Sequence, residues 1–410
     1  MRNLQPWEFS LLMAMLMSIV SFSIDATLPA LGHIGHFFAV AQENHVQWVI
    51  TSIFLGMTLG QVVAGPLSDA IGRKRILFSG VAIYFVGSLL CYLANDFGTF
   101  LLGRFIQGLG ISGPYIAAIS VVRDKFSGSQ MARVMSVIMM VFMVAPAIAP
   151  GIGQIIITLA GWHAIFLVYI AYALLTSLWI AWRLEETLAP ENRIPMKSYA
   201  FKHGIKEVIS HRTTMSYLLC IGLSFGALIA YLGSSQQVFM RQFGQSGQNF
   251  SLYFALLAGV MSLASFVNSR IVARFGMRTI TLASMAAIVL TSLVFLLIQV
   301  SGTEITLRMF MIYAITLFFA FGIMSGNLNA IAMEPMGHVA GMASAIIGAV
   351  SSMLSLLLAT LIGQLYNHTL IPLTAGFMAL FSLSMLIAYY EKRWHAFQTM
   401  PAGPMEVEGV

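Results

Sequence analysis

The chain has 410 residues, of which 59% are hydrophobic and only 9% are charged. A soluble domain carries about 25% charged residues, and the apolar excess here continues along the whole chain. This composition excludes a soluble globular protein and indicates an integral membrane protein. The two cysteines, Cys91 and Cys220, lie inside apolar runs and offer neither a disulfide framework nor metal-ligand spacing.

The apolar runs have the length of membrane helices. A bilayer core of about 30 Å requires roughly 20 apolar residues per helix. The first run is longer than a signal-peptide core and lacks a small-residue cleavage site, so we expect it to be retained as a helix. The sequence predicts twelve spans, at residues 8–31, 47–67, 76–95, 98–121, 133–158, 162–183, 214–235, 250–271, 278–299, 306–331, 340–364 and 369–390.

Basic residues are concentrated in the polar segments between these runs. The formal net charge is +6, but such residues orient membrane helices, so we expect no nucleic-acid partner. With a cytoplasmic N-terminus, all but three of the 21 Lys and Arg residues fall on the cytoplasmic side. Arg241 and Arg308 fall outside, and Arg104 falls within a span. This asymmetry predicts that both termini are cytoplasmic in a multi-pass protein of a bacterial inner (cell) membrane.

One long polar stretch divides the spans into two sets of six. A weak internal repeat supports this division, because the loop Gly65–Arg75 after span two is echoed by Ser269–Arg278 after span eight. The predicted fold class is an all-α integral membrane protein of two pseudo-symmetric six-helix bundles, as in many secondary transporters. The predicted domains are an N-terminal bundle at 1–183, a cytoplasmic linker at 184–213, a C-terminal bundle at 214–392 and a cytoplasmic tail at 393–410.

The loop after span two carries a recognisable motif. It reads Gly65-x-Leu67-x-Asp69-x-x-Gly72-Arg73-Lys74-Arg75. The two glycines permit close helix approach and a tight turn, and the charged residues form a cluster. This loop resembles the signature loop of the major facilitator superfamily.

The resemblance implies a gating role for this loop. In that family the aspartate contacts an acid at the end of the fourth helix and the start of the eleventh, here Asp124 and the stretch near Gly337. The cluster would stabilise the outward-facing state. Position 273 is Ala where the repeat would place the aspartate, so we expect the charge cluster to be one-sided.

The fourth span contains Arg104-Phe-Ile-Gln107-Gly108-Leu-Gly110, which resembles a motif of the proton-coupled branches. An arginine inside a membrane helix is costly, so it should face a cavity or a partner. The alternative is that Arg104 pairs with backbone carbonyls or a neighbouring helix.

The fifth span contains Pro146, Pro150, Gly151 and Gly153. These residues interrupt backbone hydrogen bonding and leave a small-residue face for packing. The segment resembles the fifth-helix motif of exporters that work as antiporters, and it favours antiport over symport or uniport.

Asp25 is the one acid that the predicted spans place well inside the membrane. Burial disfavours the charged form of a lone carboxyl group, so this group is a candidate to load and release a proton, with a moving Arg104 driving release. The alternative is a polar residue at a helix end, at the outer interface. The stretches Asp25-x-x-Leu-Pro-Ala-Leu, Gln61-Val-Val-Ala-Gly-Pro-Leu-Ser-Asp69 and Val121-Val-Arg123-Asp124 resemble the bicyclomycin and chloramphenicol resistance (Bcr/CflA) branch of drug exporters.

Polar-tipped residues in spans rarely face lipid. For each polar-tipped candidate residue, hydrogen bonding to a neighbouring helix is the alternative to substrate contact. Because a single buried acid must carry the proton, we expect neutral, zwitterionic or anionic amphiphiles as substrates before permanent cations. His33 and His36 are expected to be solvated, and no metal site is predicted. The candidate substrate-binding residues are Trp48, Tyr115, Tyr231, Gln236, Asn327 and Asn329.

The predicted function is proton-coupled export of small amphiphilic molecules by alternating access. The alternative is a proton-coupled importer, or a carrier dedicated to one metabolite or siderophore. An enzyme is not expected, because the sequence has no nucleotide-binding loop, catalytic triad or metal cluster. Energy then comes from an ion gradient, with protons as the coupling ion and no cofactor. The expected partners are the substrate and membrane lipids, and the expected state is a monomer.

Overall fold

The computed structural model describes residues 5–126, 128–193 and 208–398. Within these ranges the chain is helical and contains no strand. Residues 194–207 of the predicted linker and 399–410 of the predicted tail lie outside the described residues, and the predicted domain boundaries stay a prediction. The long helices are α1 (Pro6–Asp25), α2 (Trp48–Ile71), α3 (Arg73–Leu93), α4 (Phe97–Lys125), α5 (Gly128–Ala160), α6 (Ala164–Arg183), α7 (Arg212–Gln236), α8 (Gly247–Phe275), α9 (Met277–Val300), α10 (Leu307–Met333), α11 (Ala340–Gln364) and α12 (Ile371–Gln398).

These helices have the dimensions of membrane spans. In the described part of the chain, 11 helices are long and apolar enough to cross a bilayer. The remaining long helix, α5, has 33 residues and contains the shorter apolar stretch Val144–Ala160. The prediction of about twelve membrane helices is confirmed.

The first span differs from the continuous helix that the sequence predicts. Helix α1 ends at Asp25, and the chain continues through a 3₁₀ turn at Leu28–Ala30 into a short helix, Leu31–Phe37. Pro29 explains the position of this break, since a proline ring clashes with the carbonyl group four residues earlier, which belongs to Asp25. The break places Asp25 at a helix end inside a span that reaches from Trp7 to Phe37.

The two halves of the chain repeat one packing pattern. In the first half, α1 packs on α4, α5 and α6, and α4 packs on α2 and α3, while α3 also contacts α6. The same pairs recur among α7–α12, six helices later. The predicted pair of pseudo-symmetric six-helix bundles is confirmed.

The bundle has two ends that differ in charge. We call the end with the α2–α3 and α8–α9 loops the basic face, since Arg73, Lys74 and Arg278 begin helices there. The other end, which we call the opposite face, carries Glu43–Gln47 before α2 and the π-helical turn Gln237–Gln242 after α7. The halves meet through the helix pairs α2–α11 and α5–α8.

Candidate functional site

Asp25 is enclosed by protein at the end of α1. Its residue is only 5% exposed, and no hydrogen-bond or ion-pair partner for its carboxyl group occurs among the described residues. Ala26 follows Asp25 in the chain. A Cβ atom added to Gly153 would lie 2.1 Å from the backbone carbonyl oxygen of Ala26. Helix α5 therefore packs directly on the break in α1, and only glycine fits there. Asp25 is thus a helix-end residue, as the alternative interpretation expected, but its side chain is buried within a span that continues to Phe37.

Arg104 is fully buried on α4, and its charge is solvated by uncharged groups. Nη2 donates to the Ser23 carbonyl at 3.0 Å and Nη1 to Oε1 of Gln107 at 2.8 Å, while Nε reaches the Val49 carbonyl at 3.4 Å. The guanidinium carbon also lies 6.0 Å from the centre of the Phe166 ring. Backbone carbonyls and neighbouring helices thus hold Arg104 in this conformation, as the alternative interpretation expected.

Buried hydroxyl groups extend this contact into a network around the end of α1. Ser23 Oγ lies 2.6 Å from the Tyr84 hydroxyl, and Thr27 Oγ1 lies 2.7 Å from the Tyr169 hydroxyl. Gln107 Nε2 donates to Ser88 Oγ at 2.7 Å. The network ties α1 to α3, α4 and α6 beside Asp25. The two tyrosines and Ser88 were not predicted from the sequence, although hydroxyl groups in mid-span were the available signal.

Glycines bring the backbones of these helices close enough to build the network. A Cβ atom on Gly108 would lie 2.1 Å from the Ile53 carbonyl, and one on Gly110 would lie 2.3 Å from the Tyr84 amide nitrogen. Neither position has room for a side chain, so the two glycines are what allow α4 to pack this closely on α2 and α3. The glycines that follow Arg104 in its motif thereby fix the depth of its guanidinium group.

The predicted gating-loop residues come together at the basic face. Arg73 Nε donates to Asp124 Oδ2 at 2.8 Å, and Nη1 donates to Asp69 Oδ1 at 2.5 Å. The two acids therefore meet through Arg73, whose side chain is only 4% exposed. Glu186, which the sequence analysis placed in the linker, accepts hydrogen bonds from the backbone amides of Arg73 and Lys74 at 2.9 and 3.1 Å.

The two glycines of this loop behave differently. Gly72 has φ +109°, which favours glycine, and a Cβ atom there would lie 2.7 Å from Glu186 Oε2. A tight turn at Gly72 is therefore present as expected. The close helix approach expected at Gly65 is not present, because a Cβ atom there would meet nothing within 4 Å. The side chains near Gly337 lie outside the described part of the structure.

The expectation of a one-sided charge cluster is wrong. Nη2 of Arg278 lies 3.0 Å from Oε2 of Glu334 at the end of α10, and Nε of Arg278 lies 3.3 Å from Oε2 of Glu391 on α12. Thr213 also donates to Glu391 at 3.0 Å. Although Ala273 supplies no acid, Glu334 and Glu391 arrive from the helices that correspond to α4 and α6. Each half therefore has its own cluster at the basic face.

A third polar cluster joins the halves at the opposite face. Asn44 Nδ2 donates to the carbonyls of Gln364 and Tyr366 at 3.1 and 2.7 Å, and Asn44 Oδ1 accepts from Gln237 at 3.2 Å. Gln47 Nε2 donates to Gln237 Oε1 at 2.7 Å. We call these five residues the amide cluster. The amide cluster was not predicted from the sequence, because uncharged side chains in connecting segments form no distinctive pattern.

An ion pair between Glu43 and Arg241 lies beside the amide cluster and also joins the halves. Tyr366 donates its hydroxyl hydrogen to Gln242 at 3.2 Å. Burial, reinforced by the Glu43 carboxylate, raises the pKa of Tyr366 to about 12, so this hydroxyl stays protonated. All hydrogen bonds and ion pairs between the halves whose partners are described lie at this opposite face. The conformation is therefore closed at the opposite face.

The sequence relationships agree with this architecture. Residues 11–360 match the family model of the Major Facilitator Superfamily. The chain belongs to the Major Facilitator Superfamily. It is 32% identical to an uncharacterized MFS-type transporter, YdgK, of Bacillus subtilis (strain 168), over 89% of this chain and 90% of that protein. It is also 30% identical to a bicyclomycin resistance protein homolog of Haemophilus influenzae, over 93% of this chain and 95% of that protein.

Other members of the superfamily extend the comparison. The multidrug resistance protein MdtL of Klebsiella pneumoniae is 28% identical over 75% of this chain and 76% of that protein. A D-xylose-proton symporter shares the fold with a TM-score of 0.73 at 14% identity, covering 93% of this chain and 96% of that one. The resemblance to the superfamily and to its bicyclomycin resistance branch is confirmed, and the protein is a multi-pass membrane transporter of small molecules.

The segment that resembles the antiporter motif lies within helix α5. This helix is continuous through Pro146 and Pro150. Gly151 faces a groove of about 360 Å³ between α5 and α8, lined also by Gln154, Thr158 and Ser251. A Cβ atom on Gly151 would meet nothing within 4 Å. The small-residue packing expected of the motif is therefore supplied by Gly153, and its role in antiport stays a prediction.

Three candidate substrate residues lie towards the opposite face. Trp48, the first residue of α2, stacks on His45 with ring centres 3.9 Å apart. Tyr231 is buried beside Phe318, and its hydroxyl has no partner within the described part of the chain. Gln236 fills the space beside Gly32 in the other half.

The other three candidates lie on α4 and α10. Tyr115 is half-buried in α4. Asn327 exchanges hydrogen bonds of 3.0 and 3.1 Å with Asn268, so helix–helix bonding accounts for it. Asn329 is exposed and donates to the Ser325 carbonyl at 3.2 Å. Since Trp48 begins its helix at one face and Asn329 lies near the end of α10 at the other, the six residues do not form one site.

The described residues contain no group of three or more His, Cys, Asp and Glu side chains that could hold a metal ion. His33 and His36 are both exposed on the short helix after the α1 break.

Proposed function

We propose that the protein exports small amphiphilic molecules across a bacterial inner membrane by proton antiport. The observation that carries this proposal is the enclosed, unpartnered carboxyl group of Asp25 at the break in α1. An intramembrane acid without a counter-ion is suited to bind and release a proton. The names of the bicyclomycin resistance and multidrug resistance relatives support export as the direction and drugs as the substrate class.

The orientation follows from the charge asymmetry of the connecting segments. We place the basic face and both termini in the cytoplasm, as the positive-inside rule requires. The opposite face then lies outside, and the conformation described here is closed to the outside by the amide cluster and the Glu43–Arg241 ion pair. Substrate and proton would exchange with the cytoplasm in this state.

The coupling step involves Asp25 and Arg104. Arg104 donates to the carbonyl of Ser23, two residues before Asp25 in the chain. When substrate binding favours the charged carboxylate, a local shift lets the guanidinium group exchange that carbonyl for the Asp25 carboxylate and so favours proton release. Protonation from the outside returns Arg104 to the carbonyl. The proton is the coupling ion, and no resident cofactor or catalytic step is needed.

The charge clusters at the basic face control the balance between the two conformations. Arg73, with Asp69 and Asp124, supports the α2–α3 turn on one half, and Arg278, with Glu334 and Glu391, supports the α8–α9 turn on the other. When the halves rock, the open space beside Gly65 becomes available for contact with the C-terminal half. We infer that the protein works as a monomer, since each of these elements lies within one chain.

Proton release driven by substrate tests the proposal. The purified protein is reconstituted in vesicles with an acidic lumen, and neutral, anionic and cationic compounds are added while the lumenal pH is recorded. We expect some compounds to dissipate the gradient with wild-type protein and with Glu304→Gln, a control that removes an exposed acid in the α9–α10 loop. The Asp25→Asn variant should bind the same compounds without moving protons.

The opposite result would overturn the proposal. If no compound moves protons while intact cells accumulate a particular metabolite, the protein is an importer or a dedicated carrier. If Asp25→Asn couples as well as wild type does, the proton site lies elsewhere.

A further inference from the structure

A groove on the membrane-facing surface lies apart from the elements used in transport. It runs between α3 and α6 and has a volume of about 540 Å³. Its walls are apolar and include Phe78, Phe85, Val86 and Leu178. From Phe78 to Val86 the groove extends for about 12 Å along α3, at 1.5 Å per residue. Because a bilayer core is about 30 Å thick, this length reaches from near the basic face most of the way to the midplane.

Ser177 is a polar residue in this apolar wall. It is 6% exposed, it lines the groove, and its buried hydroxyl has no hydrogen-bond partner among the described residues. A buried hydroxyl without a partner costs free energy unless a bound molecule supplies an acceptor. Ser177 therefore places one buried, unpaired hydroxyl group in the wall of an otherwise apolar groove.

Lys74 supplies a positive charge at the end of the groove nearest the basic face. Its Nζ lies 5.9 Å from the centre of the Phe78 ring and donates to the Ala181 carbonyl at 3.5 Å, and both of those residues line the groove. Within the described ranges, no carboxylate lies within 4.0 Å of this ammonium group. Neighbouring Arg73 is neutralised by Asp69 and Asp124, whereas Lys74 keeps an uncompensated charge.

We propose that this groove binds an anionic phospholipid of the leaflet at the basic face, with its phosphate on Lys74 and one acyl chain along α3 and α6. The spacing of the polar groups fits this ligand. Ser177 lies one helical turn, about 6 Å, deeper than Ala181, which is where an ester carbonyl would accept its hydroxyl hydrogen. The apolar walls beyond Ser177 then cover the acyl chain.

The site connects the lipid to the α2–α3 turn. Glu186 holds the backbone amides of both Arg73 and Lys74, so a phosphate on the Lys74 side chain acts on the same turn as the charge cluster. The lipid would thereby favour the conformation in which that turn is ordered.

Native mass spectrometry of the full chain in detergent tests the proposal, with phosphatidylglycerol and phosphatidylcholine titrated separately. One favourable charge near the membrane surface corresponds to about a fivefold difference in affinity. The wild-type protein should therefore bind the first phosphatidylglycerol about fivefold more tightly than the first phosphatidylcholine. Lys74→Gln should remove this preference. The control Arg274→Gln removes a cation at the basic face that lies over the Phe275 ring, and it should keep the preference.

Two further variants fill the groove from either side. Ala82→Trp on α3 and Leu178→Trp on α6 should each remove one bound lipid of either kind, while monodispersity and melting temperature show that the protein is folded. The proposal is overturned if Lys74→Gln keeps the preference for phosphatidylglycerol, or if both tryptophan variants keep the wild-type lipid count. It is also overturned if Ala82→Trp dissociates a dimer, since a second copy would then occupy the groove.

Discussion

Removing the Asn44 side chain should open the transporter at the opposite face. In the closed conformation this side chain donates two hydrogen bonds to carbonyls of the C-terminal half and accepts one from Gln237. Each hydrogen bond contributes about 1 kcal/mol net, so Asn44→Ala removes about 3 kcal/mol from the closed state alone. Since about 1.4 kcal/mol corresponds to a tenfold change in an equilibrium constant, the ratio of closed to open molecules should fall by about a hundredfold.

Electron–electron distance measurements between spin labels on the two halves can detect this shift. Both native cysteines are buried, so labels at Ala41→Cys and Glu304→Cys, two exposed positions at the opposite face, report the opening selectively. We expect Asn44→Ala to increase the fraction of molecules at longer distances. The control Asn249→Ala removes an exposed asparagine that bonds within its own half and should leave the distribution unchanged. An unchanged distribution for Asn44→Ala would refute the gating role of the amide cluster.

Further predictions concern the basic face and α5. Asp69→Asn should slow transport but keep substrate binding in an equilibrium binding assay; lost binding would contradict a gating role. Gly72→Ala should lower the melting temperature more than Gly276→Ala, because both have positive φ but only at Gly72 does a Cβ atom meet Glu186; equal losses would contradict this. Gly153→Val should abolish substrate-driven proton release by displacing α5 from the α1 break, and normal coupling would show that this packing is dispensable.

The sequence determined the features that depend on local composition. The number of helices follows from apolar length, because a bilayer core accepts only segments long enough to cross it. The turn at Gly72 follows from a residue that tolerates positive φ. The isolation of Asp25 was also predictable, since a single acid within twelve apolar spans has few possible counter-ions. Pro29 could have revealed the break after Asp25, but the uninterrupted apolar run concealed it.

The tertiary structure alone decided which polar groups meet. Arg104 donates hydrogen bonds to backbone carbonyls rather than to an acid, and Asn327 forms hydrogen bonds with Asn268. Both pairings depend on how neighbouring helices are rotated and staggered. Glu186, in the segment after α6, and Glu391, on α12, contact arginine-containing turns that are more than 100 residues away in the chain. Hydropathy places a residue at a depth in the membrane but says little about its direction around the helix axis. That direction is set by helix packing, which in this protein depends on close backbone contacts at glycines.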